Sequence, residues 1–176
     1  MKKALLMTAI AVFAFTSVNG QELKAGLSFG LPVGDAGNIY NFNTNLDLNY
    51  LWKVSEKFDV GVATGLSYNF GDEVRIPNVI GGGSTIIDVE DAVFLPIAGA
   101  GRFALSEKFT LGIDLGYAIG IRPSWNDGGF YYAPRVQYSI TEAIDLVVAY
   151  RSVEIPVGVF AVGYLDNITV GIEIGL

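Results

Sequence analysis

From residue 23 onward, apolar and polar residues alternate along the chain, which is the period of a β-strand whose two faces meet different surroundings. The stretch 59–70 shows this most clearly, since its even-numbered positions are mostly bulky: Val60, Val62, Thr64, Leu66, Tyr68 and Phe70. The same pattern predicts eight strands, near 23–31, 42–52, 58–70, 92–105, 109–121, 130–140, 144–153 and 163–176. Most are longer than the roughly five or six residues of a globular strand and reach the roughly 9–11 residues of a tilted membrane strand.

The connections between the predicted strands alternate in length. Three are short and alike, at 54–58, 105–109 and 140–144, and each has Ser or Thr followed by Glu between apolar residues. The other four are longer and are predicted to be irregular: 32–41, 71–91, 122–129 and 154–162. Connections of this kind join neighbouring antiparallel strands in an up-and-down order. The sequence therefore predicts an all-β, eight-stranded antiparallel up-and-down barrel with both termini at the end of the short turns.

The residue types on the two strand faces distinguish a membrane barrel from a soluble one. One face carries bulky Leu, Ile, Val, Phe and Tyr with almost no charge, whereas the other carries mainly Gly, Ala, Ser, Thr and Asn. Small residues suit the narrow interior of an eight-stranded barrel, and the bulky face would be a very large apolar patch in water. We therefore expect a transmembrane β-barrel with its apolar face in lipid.

Aromatic residues near the strand ends support this interpretation, because membrane barrels carry aromatic girdles at both interfaces. Those near the short turns are Trp52, Phe58, Phe103, Phe109 and Tyr138. Those nearer the long connections are Tyr40, Phe42, Tyr68, Phe70, Tyr117, Tyr132, Tyr150 and Tyr164. The high β-propensity of Tyr and Phe would also enrich them in strands, so the girdles are supporting evidence only.

The first twenty residues have a different pattern. Two lysines follow Met1, the twelve residues 4–15 are apolar, and residues 16–20 are small and polar. This is the order of segments in a cleaved secretory signal peptide. A twelve-residue helix spans about 18 Å and is too short for a hydrocarbon core of about 30 Å. We expect a signal peptide over 1–20 and a barrel domain over 21–176.

Four basic and four acidic residues fall on the small-residue face: Lys24, Asp47, Arg102, Asp114, Arg135, Asp145, Arg151 and Glu173. A charge inside a narrow barrel is costly unless it is paired or hydrogen-bonded, and equal numbers of the two signs allow pairing. We predict that these eight side chains form a structural network of salt bridges and hydrogen bonds that fills the lumen. The alternative is a polar pathway or a gate made of exchangeable ion pairs.

The composition argues against several kinds of chemistry. The sequence has no cysteine and no histidine, and histidine is the usual general base near neutral pH. The net charge of −7 argues against nucleic acid as a partner. Acidic residues around the 71–91 connection would suit a solvated rim or, less well, a Ca²⁺ site: Asp72, Glu73, Asp88, Glu90 and Asp91. We expect no enzyme activity, no catalytic residue, no cofactor and no bound metal.

The alternating strands, the Ser-Glu-Lys-Phe turns at 55–58 and 106–109, and the last six residues, 171–176, carry a family resemblance. Together they resemble the small eight-stranded outer-membrane β-barrels of the OmpA/OmpX type, over the whole of 21–176. The resemblance implies a protein of the cell outer membrane with periplasmic termini, in contact with lipid and lipopolysaccharide. It also implies insertion by the barrel assembly machinery, which recognises a last strand of this kind, although Leu176 stands where the family usually has Phe.

Two functions remain open at this point. The first is a structural or surface-interaction role for a monomer, in which the connections 71–91 and 154–162 contact lipopolysaccharide, a host or neighbouring cells. The second is a narrow transporter or channel for small or hydrophobic solutes. A lumen blocked by Arg102, Arg135 and Arg151 paired with acids favours the first, and a continuous lumen or a lateral gap between strands favours the second.

Overall fold

The chain forms a closed barrel of eight antiparallel strands, and the computed structural model describes residues 21–77, 83–157 and 161–176. The barrel strands are β1 Gln21–Val33, β2 Tyr40–Lys53, β3 Phe58–Gly71, β6 Ala92–Ala104, β7 Phe109–Arg122, β8 Gly128–Ser139, β9 Ile144–Val157 and β10 Ala161–Gly175. A separate hairpin consists of β4 Glu73–Pro77 and β5 Ser84–Asp88, and a short 3-10 helix covers Gly34–Asn38. The predicted fold class is thereby confirmed, whereas the predicted signal peptide lies outside the described residues.

Pairing of the first strand with the last closes the barrel. β1 pairs with β10 from Lys24 opposite Gly175 to Val33 opposite Asp166, and it pairs with β2 on its other side. Closure gives every barrel strand two neighbours, which pairs the backbone groups that lipid could not hydrogen-bond. In the part of the chain that the structure describes, no helix is long and apolar enough to cross a membrane.

The three short turns share one hydrogen-bonding pattern, which explains their repeated sequence. In each turn two successive backbone N–H groups donate to the first carbonyl of the next strand, at Phe58, Phe109 or Ile144. The hydroxyl of the turn's Ser or Thr accepts a backbone N–H two residues later, and Ser and Thr are favoured in turns for this reason. These turns lie at one end of the barrel, the turn end, and the longer connections lie at the other, the loop end.

Strand alternation places large apolar side chains outside and small or polar ones inside. On the outer face Leu31 is 62% exposed and Leu46 57%, whereas Asn45 and Thr169 on the inner face are each 1% exposed. Aromatic pairs lie on the outer face near both ends: Tyr50–Trp52 and Phe109–Tyr138 at the turn end, and Tyr68–Phe70 and Tyr132–Tyr150 toward the loop end. This is the wall expected of a barrel that faces lipid.

Tyr40 departs from the predicted outer girdle. The register of β2 against β3 shifts between Tyr40 and Phe42, and a bulge of this kind changes the face that neighbouring side chains take. Tyr40 is therefore buried among the interior apolar residues. Phe42 stays on the wall, where its ring packs against Phe29 and Phe70.

The prediction of an irregular connection over 71–91 is wrong, because β4 and β5 form an antiparallel hairpin there. Val74 lies opposite Ile87, and Ile76 lies opposite Thr85. Cross-strand pairs of β-branched residues stabilise such a ribbon, but runs of five residues are too short for alternation to identify them as strands.

Two other connections are also more regular than predicted. The 32–41 connection contains the 3-10 helix, which begins at Gly34 with a φ of 62° that favours glycine. In the 154–162 connection β9 continues to Val157 and β10 begins at Ala161. Residues 158–160 lie outside the described part of the chain. These two barrel strands thus extend beyond their predicted bounds at the loop end.

Two prolines interrupt the hydrogen-bonded ladder of the wall. The pairing of β3 with β6 skips the positions beside Pro96, and the pairing of β8 with β9 skips those beside Pro134. Proline has no N–H to donate to a neighbouring strand. At the first interruption the Thr64 hydroxyl donates to the Pro96 carbonyl over 2.9 Å, which supplies one cross-strand bond.

Candidate functional site

The eight charged residues predicted for the small-residue face all lie inside the barrel, where none has a side chain more than 14% exposed. Each is within salt-bridge distance of an opposite charge: Lys24–Asp145, Arg102–Asp114, Arg135–Asp114, Arg135–Glu173 and Arg151–Asp47. With the polar side chains around them they form three hydrogen-bonded groups.

The first group lies toward the turn end of the lumen. Lys24 Nζ lies 2.7 Å from Asp145 Oδ2 and 3.2 Å from Glu22 Oε1. The other oxygen of Asp145 accepts a hydrogen bond of 2.7 Å from the Ser139 hydroxyl. This group is partly open to solvent, since the Glu22 side chain is 45% exposed. The Lys24–Glu22 pair is therefore screened and contributes less to stability than the buried pairs.

The second group, the arginine cluster, consists of Arg102, Asp114, Arg135 and Glu173 with the amides of Asn49 and Gln137. Asp114 accepts from both guanidinium groups, with 2.6 Å to Arg102 Nη1 and 2.6 Å to Arg135 Nη2. Arg135 Nη1 donates to Glu173 Oε1 over 2.5 Å. Asn49 and Gln137 donate to the two oxygens of Glu173, over 3.0 and 2.7 Å. Two positive and two negative charges thus balance in a buried, hydrogen-bonded cluster, which is the condition for burying them.

A glycine makes room for the arginine cluster. Gly112 of β7 lies opposite Arg102 of β6 on one side and opposite Arg135 of β8 on the other. A Cβ at Gly112 would approach Arg102 Cδ and Arg135 Cγ to 2.8 Å each. Asp114 is the next inward residue on the same strand, so both guanidinium groups can lie over Gly112 and share one carboxylate.

Replacing Gly112 with alanine is expected to lower the free energy of unfolding by about 1–3 kcal/mol, since overpacking displaces both arginines. The measurement is urea unfolding of the barrel reconstituted in lipid vesicles. Gly99→Ala is the matched control on the neighbouring strand, because a Cβ there has only the Leu115 carbonyl oxygen near it, at 3.8 Å. Equal losses for the two variants would contradict the proposed packing role of Gly112.

The third group is centred on Arg151. Its Nη1 and Nη2 donate to the two oxygens of Asp47 over 2.8 and 2.7 Å, a bidentate pair. Its Nε donates to the Thr169 hydroxyl over 3.3 Å, and Nη1 also approaches the Tyr131 hydroxyl at 3.4 Å. The planar guanidinium therefore links β9 to β2, β8 and β10 across the lumen.

Four buried asparagines extend this third group toward the loop end, and we call them the asparagine ladder: Asn43, Asn45, Asn69 and Asn167. Asn45 Nδ2 donates to Asn43 Oδ1 over 2.6 Å, and Asn43 Nδ2 donates to Asn69 Oδ1 over 2.9 Å. Asn167 Nδ2 donates to the same Asn69 oxygen over 3.0 Å. The amides thus connect β2, β3 and β10.

The sequence interpretation missed the polar partners of the charges. They are Ser28, Asn49, Tyr131, Gln137, Ser139 and Thr169, together with the asparagine ladder. Their shared signal is position, since each is a polar residue at an inward position of its strand. That signal could have identified candidates, but only the strand register shows which of them meet.

An apolar plug lies toward the loop end of the interior, formed by Phe94, Ala118, Val153 and Leu165. Each of these side chains is 5% exposed or less, and Phe94 is fully buried. They line, with polar residues below them, a cavity of about 10 Å³. The middle of the lumen and its loop-end half are therefore filled by ion pairs, amides and apolar side chains, whereas an open pocket of about 440 Å³, lined by Glu22, Leu51 and Asp59 among others, lies at the turn end.

The surface of the loop end is acidic. Its acids are Asp35, Asp72, Glu73, Asp88, Glu90, Asp91 and Asp127, against Arg75 and Arg122. The Tyr68 hydroxyl and the Gly71 N–H donate to the Asp91 carboxylate. These bonds stabilise the ionised form and hold the pKa of Asp91 below its ordinary value. Among the described residues no group of three or more Asp or Glu has a geometry that could hold a metal ion.

The β4–β5 hairpin adds apolar surface to this acidic end. Ile76, Ile86 and Ile87 are each about half exposed. Trp125, in the connection between β7 and β8, is 72% exposed. Large apolar side chains in such positions are typical of surfaces that meet a partner or a membrane boundary.

Solved structures with this architecture include outer-membrane proteins. The attachment invasion locus protein Ail of Yersinia pestis, in complex with the heparin analogue sucrose octasulfate, aligns over 90% of this chain and 100% of its own with a TM-score of 0.52 and 13% identity. The chain has the fold of the small outer-membrane β-barrels. Ail in a phospholipid nanodisc aligns over 87% of this chain and 99% of its own, with a TM-score of 0.50 and 13% identity.

Neisserial surface protein A is also similar, over 89% of this chain and 97% of its own, with a TM-score of 0.47 and 13% identity. No protein-family model and no curated protein sequence matches the chain. Identities this low carry the likeness of fold and not of function.

Proposed function

We propose that the protein is an integral outer-membrane barrel with a structural or surface-interaction role and a closed lumen, and that it is not an enzyme. The observation that carries the proposal is the filled middle of the lumen. The arginine cluster and the Arg151–Asp47 pair cross the lumen, and the cavity above them measures only about 10 Å³. An eight-stranded barrel is just wide enough for side chains to fill.

The outer wall supports placement in a membrane. Large apolar side chains from all eight barrel strands are exposed on it, and such a surface is stable only in contact with hydrocarbon. We propose a monomer whose termini lie in the periplasm, which places the acidic loop end outside the cell beside lipopolysaccharide. The barrel assembly machinery would insert the chain by its last strand.

The chemistry of the loop end favours some partners over others. Acids outnumber arginines there, so the surface repels polyanions and attracts cationic groups. Ail has been crystallised with a heparin analogue, but a sulfated sugar is a poor match for this acidic surface. We propose that cationic or apolar groups on a host or neighbouring cell, or lipopolysaccharide bridged by divalent cations, contact the β4–β5 hairpin and its surroundings.

The proposed orientation can be tested with single cysteines, because the native chain has none. Ser84 in the β4–β5 hairpin is exposed and lies at the loop end. We expect a membrane-impermeant maleimide to label Ser84→Cys on intact cells. Ser106→Cys, in a turn-end turn, is the control and should react only after the outer membrane is permeabilised. The opposite labelling pattern would refute periplasmic termini.

The closed lumen can be tested by reconstituting the barrel in planar lipid bilayers. We expect no steady conductance above that of the protein-free bilayer, because the buried ion pairs leave no continuous aqueous path. An Arg135→Ala, Arg151→Ala double variant, which removes side chains from two of the groups that cross the lumen, should conduct more than the native chain. Large steady conductance of the native barrel would overturn the proposal.

One observation favours the alternative, a narrow transporter. The wall ladder is interrupted beside Pro96 and beside Pro134, and a weakened seam is where a lateral opening for an apolar solute would form. Uptake of a fluorescent apolar probe into vesicles would test this. Probe entry that depends on the protein, without ion conductance, would favour lateral transport over the structural role.

A further inference from the structure

A cavity of about 10 Å³ separates the asparagine ladder and Arg151 from the apolar plug. Its polar lining includes Asn45, Ser67, Tyr131 and Asn167, which come from four different strands. A volume of this size holds about one water molecule, and a buried water needs two to four polar partners. The cavity is too small for any larger solute.

Two hydrogen-bond acceptors in this lining have no partner among the described residues, Asn45 Oδ1 and Asn167 Oδ1. The orientation of both amides is set by their nitrogens. Asn45 Nδ2 donates to Asn43 Oδ1 over 2.6 Å, and Asn167 Nδ2 donates to Asn69 Oδ1 over 3.0 Å. Rotating either amide by half a turn would place its own oxygen against the oxygen of Asn43 or Asn69. The positions of the two unpartnered oxygens, Asn45 Oδ1 and Asn167 Oδ1, are therefore fixed. A buried acceptor without a donor is destabilising.

Two hydroxyl groups in the same lining accept hydrogen bonds but donate none within the described chain. Ser67 Oγ accepts from Asn43 Nδ2 over 3.2 Å, and the Tyr131 hydroxyl accepts from Arg151 Nη1 over 3.4 Å. Each hydroxyl therefore has a proton to donate. The cavity thus offers two acceptors and two donors, which is the complement of one water molecule.

We propose that the cavity binds a single ordered water, which donates to Asn45 Oδ1 and Asn167 Oδ1 and accepts from the hydroxyls of Ser67 and Tyr131. Four neutral oxygens would also suit a monovalent cation. The Arg151 guanidinium lines the same cavity whereas its partner Asp47 does not, so the charge nearest the cavity is positive and disfavours a cation. Water is therefore the ligand that fits.

The bound water would complete the hydrogen-bonded interior. It joins β2, β3, β8 and β10 at one point, and it links Tyr131, beside Arg151, to the free ends of the asparagine ladder. The apolar plug, with Phe94 and Leu165, keeps this point apart from the solvent at the loop end.

Water-to-amide cross-relaxation measured by NMR, with the barrel in detergent micelles, tests the proposal. We expect cross-peaks from a long-lived water to the side-chain amides of Asn45 and Asn167. Asn49 is the internal control, because its nitrogen donates to Glu173 and its oxygen accepts from Arg102, so it should give none. A high-resolution crystal structure should show one density peak within hydrogen-bonding distance of all four oxygens.

A double variant, Ser67→Ala with Tyr131→Phe, removes both donors to the water. Its cross-peaks to Asn45 and Asn167 should be lost or strongly weakened, while the Asn49 amide keeps its chemical shift. Absence of both the cross-peaks and the density in the native protein would overturn the proposal. So would chemical shifts of these amides that respond to Na⁺ or NH₄⁺ concentration, since they would identify a cation site.

Discussion

Replacing Arg135 with methionine is expected to lower the free energy of unfolding by about 3–5 kcal/mol, the usual cost of breaking a buried ion pair from one side. Among the described residues Arg135 is the one side chain that bonds both Asp114 and Glu173. Without it Glu173, which is 3% exposed, keeps the amides of Asn49 and Gln137 as its partners in that part of the chain. Urea unfolding in lipid vesicles, followed by the fluorescence of the two tryptophans, measures the loss.

Two further variants separate the effect of charge from that of lost packing. In the double variant that combines Arg135→Met with Glu173→Gln, the unpaired carboxylate is gone and Asp114 keeps Arg102. A large part of the stability that Arg135→Met loses should therefore return. In Lys24→Met the less deeply buried pair at the turn end is broken, and the loss should be under that of Arg135→Met. If Arg135→Met costs no more than Lys24→Met, the arginine cluster does not stabilise the barrel as described.

The strands of the barrel could be predicted from sequence because each is long. Over 12 to 15 residues, alternation is distinct from chance, and the Ser or Thr of each short turn marks where a strand begins. β4 and β5 have five residues each and give no such signal. Tyr40 departs from the girdle for a related reason, since a bulge shifts the register without changing the composition of the strand.

Inward charges could also be predicted, because alternation fixes the face of each residue. Their partners could not, since those depend on which strands meet and in which register. Lys24 and Asp145 are separated by 121 positions, and Asn49 and Glu173 by 124. Gly112 shows the same limit, because its role follows only from lying between Arg102 and Arg135 in register.

The interior combines two ways of closing a narrow tube. Toward the turn end and the middle, ion pairs link strands across the lumen and hold them in one geometry. Toward the loop end, the amides lie beside the apolar plug, which excludes water without directional bonds. Because the two parts are made of different residues, each can be weakened separately, and their contributions to stability and to impermeability can be compared.

Replacing Phe94 with alanine is expected to lower the free energy of unfolding by about 3–5 kcal/mol, since a fully buried aromatic side chain is lost and a cavity remains. Phe94 is 0% exposed and lines the cavity below the apolar plug. Urea unfolding in lipid vesicles again gives the magnitude. Phe103→Ala is the control on the same strand, because Phe103 is 45% exposed on the outer wall and its loss should cost clearly less.

Conductance separates the two ways of closing the lumen. Phe94→Ala opens the cavity toward the loop end but leaves the arginine cluster and the Arg151–Asp47 pair in place. We therefore expect its conductance in planar bilayers to stay at the background level despite the loss of stability. A rise in conductance as large as that of the Arg135→Ala, Arg151→Ala variant would mean that the plug, and not the ion pairs, keeps the lumen closed.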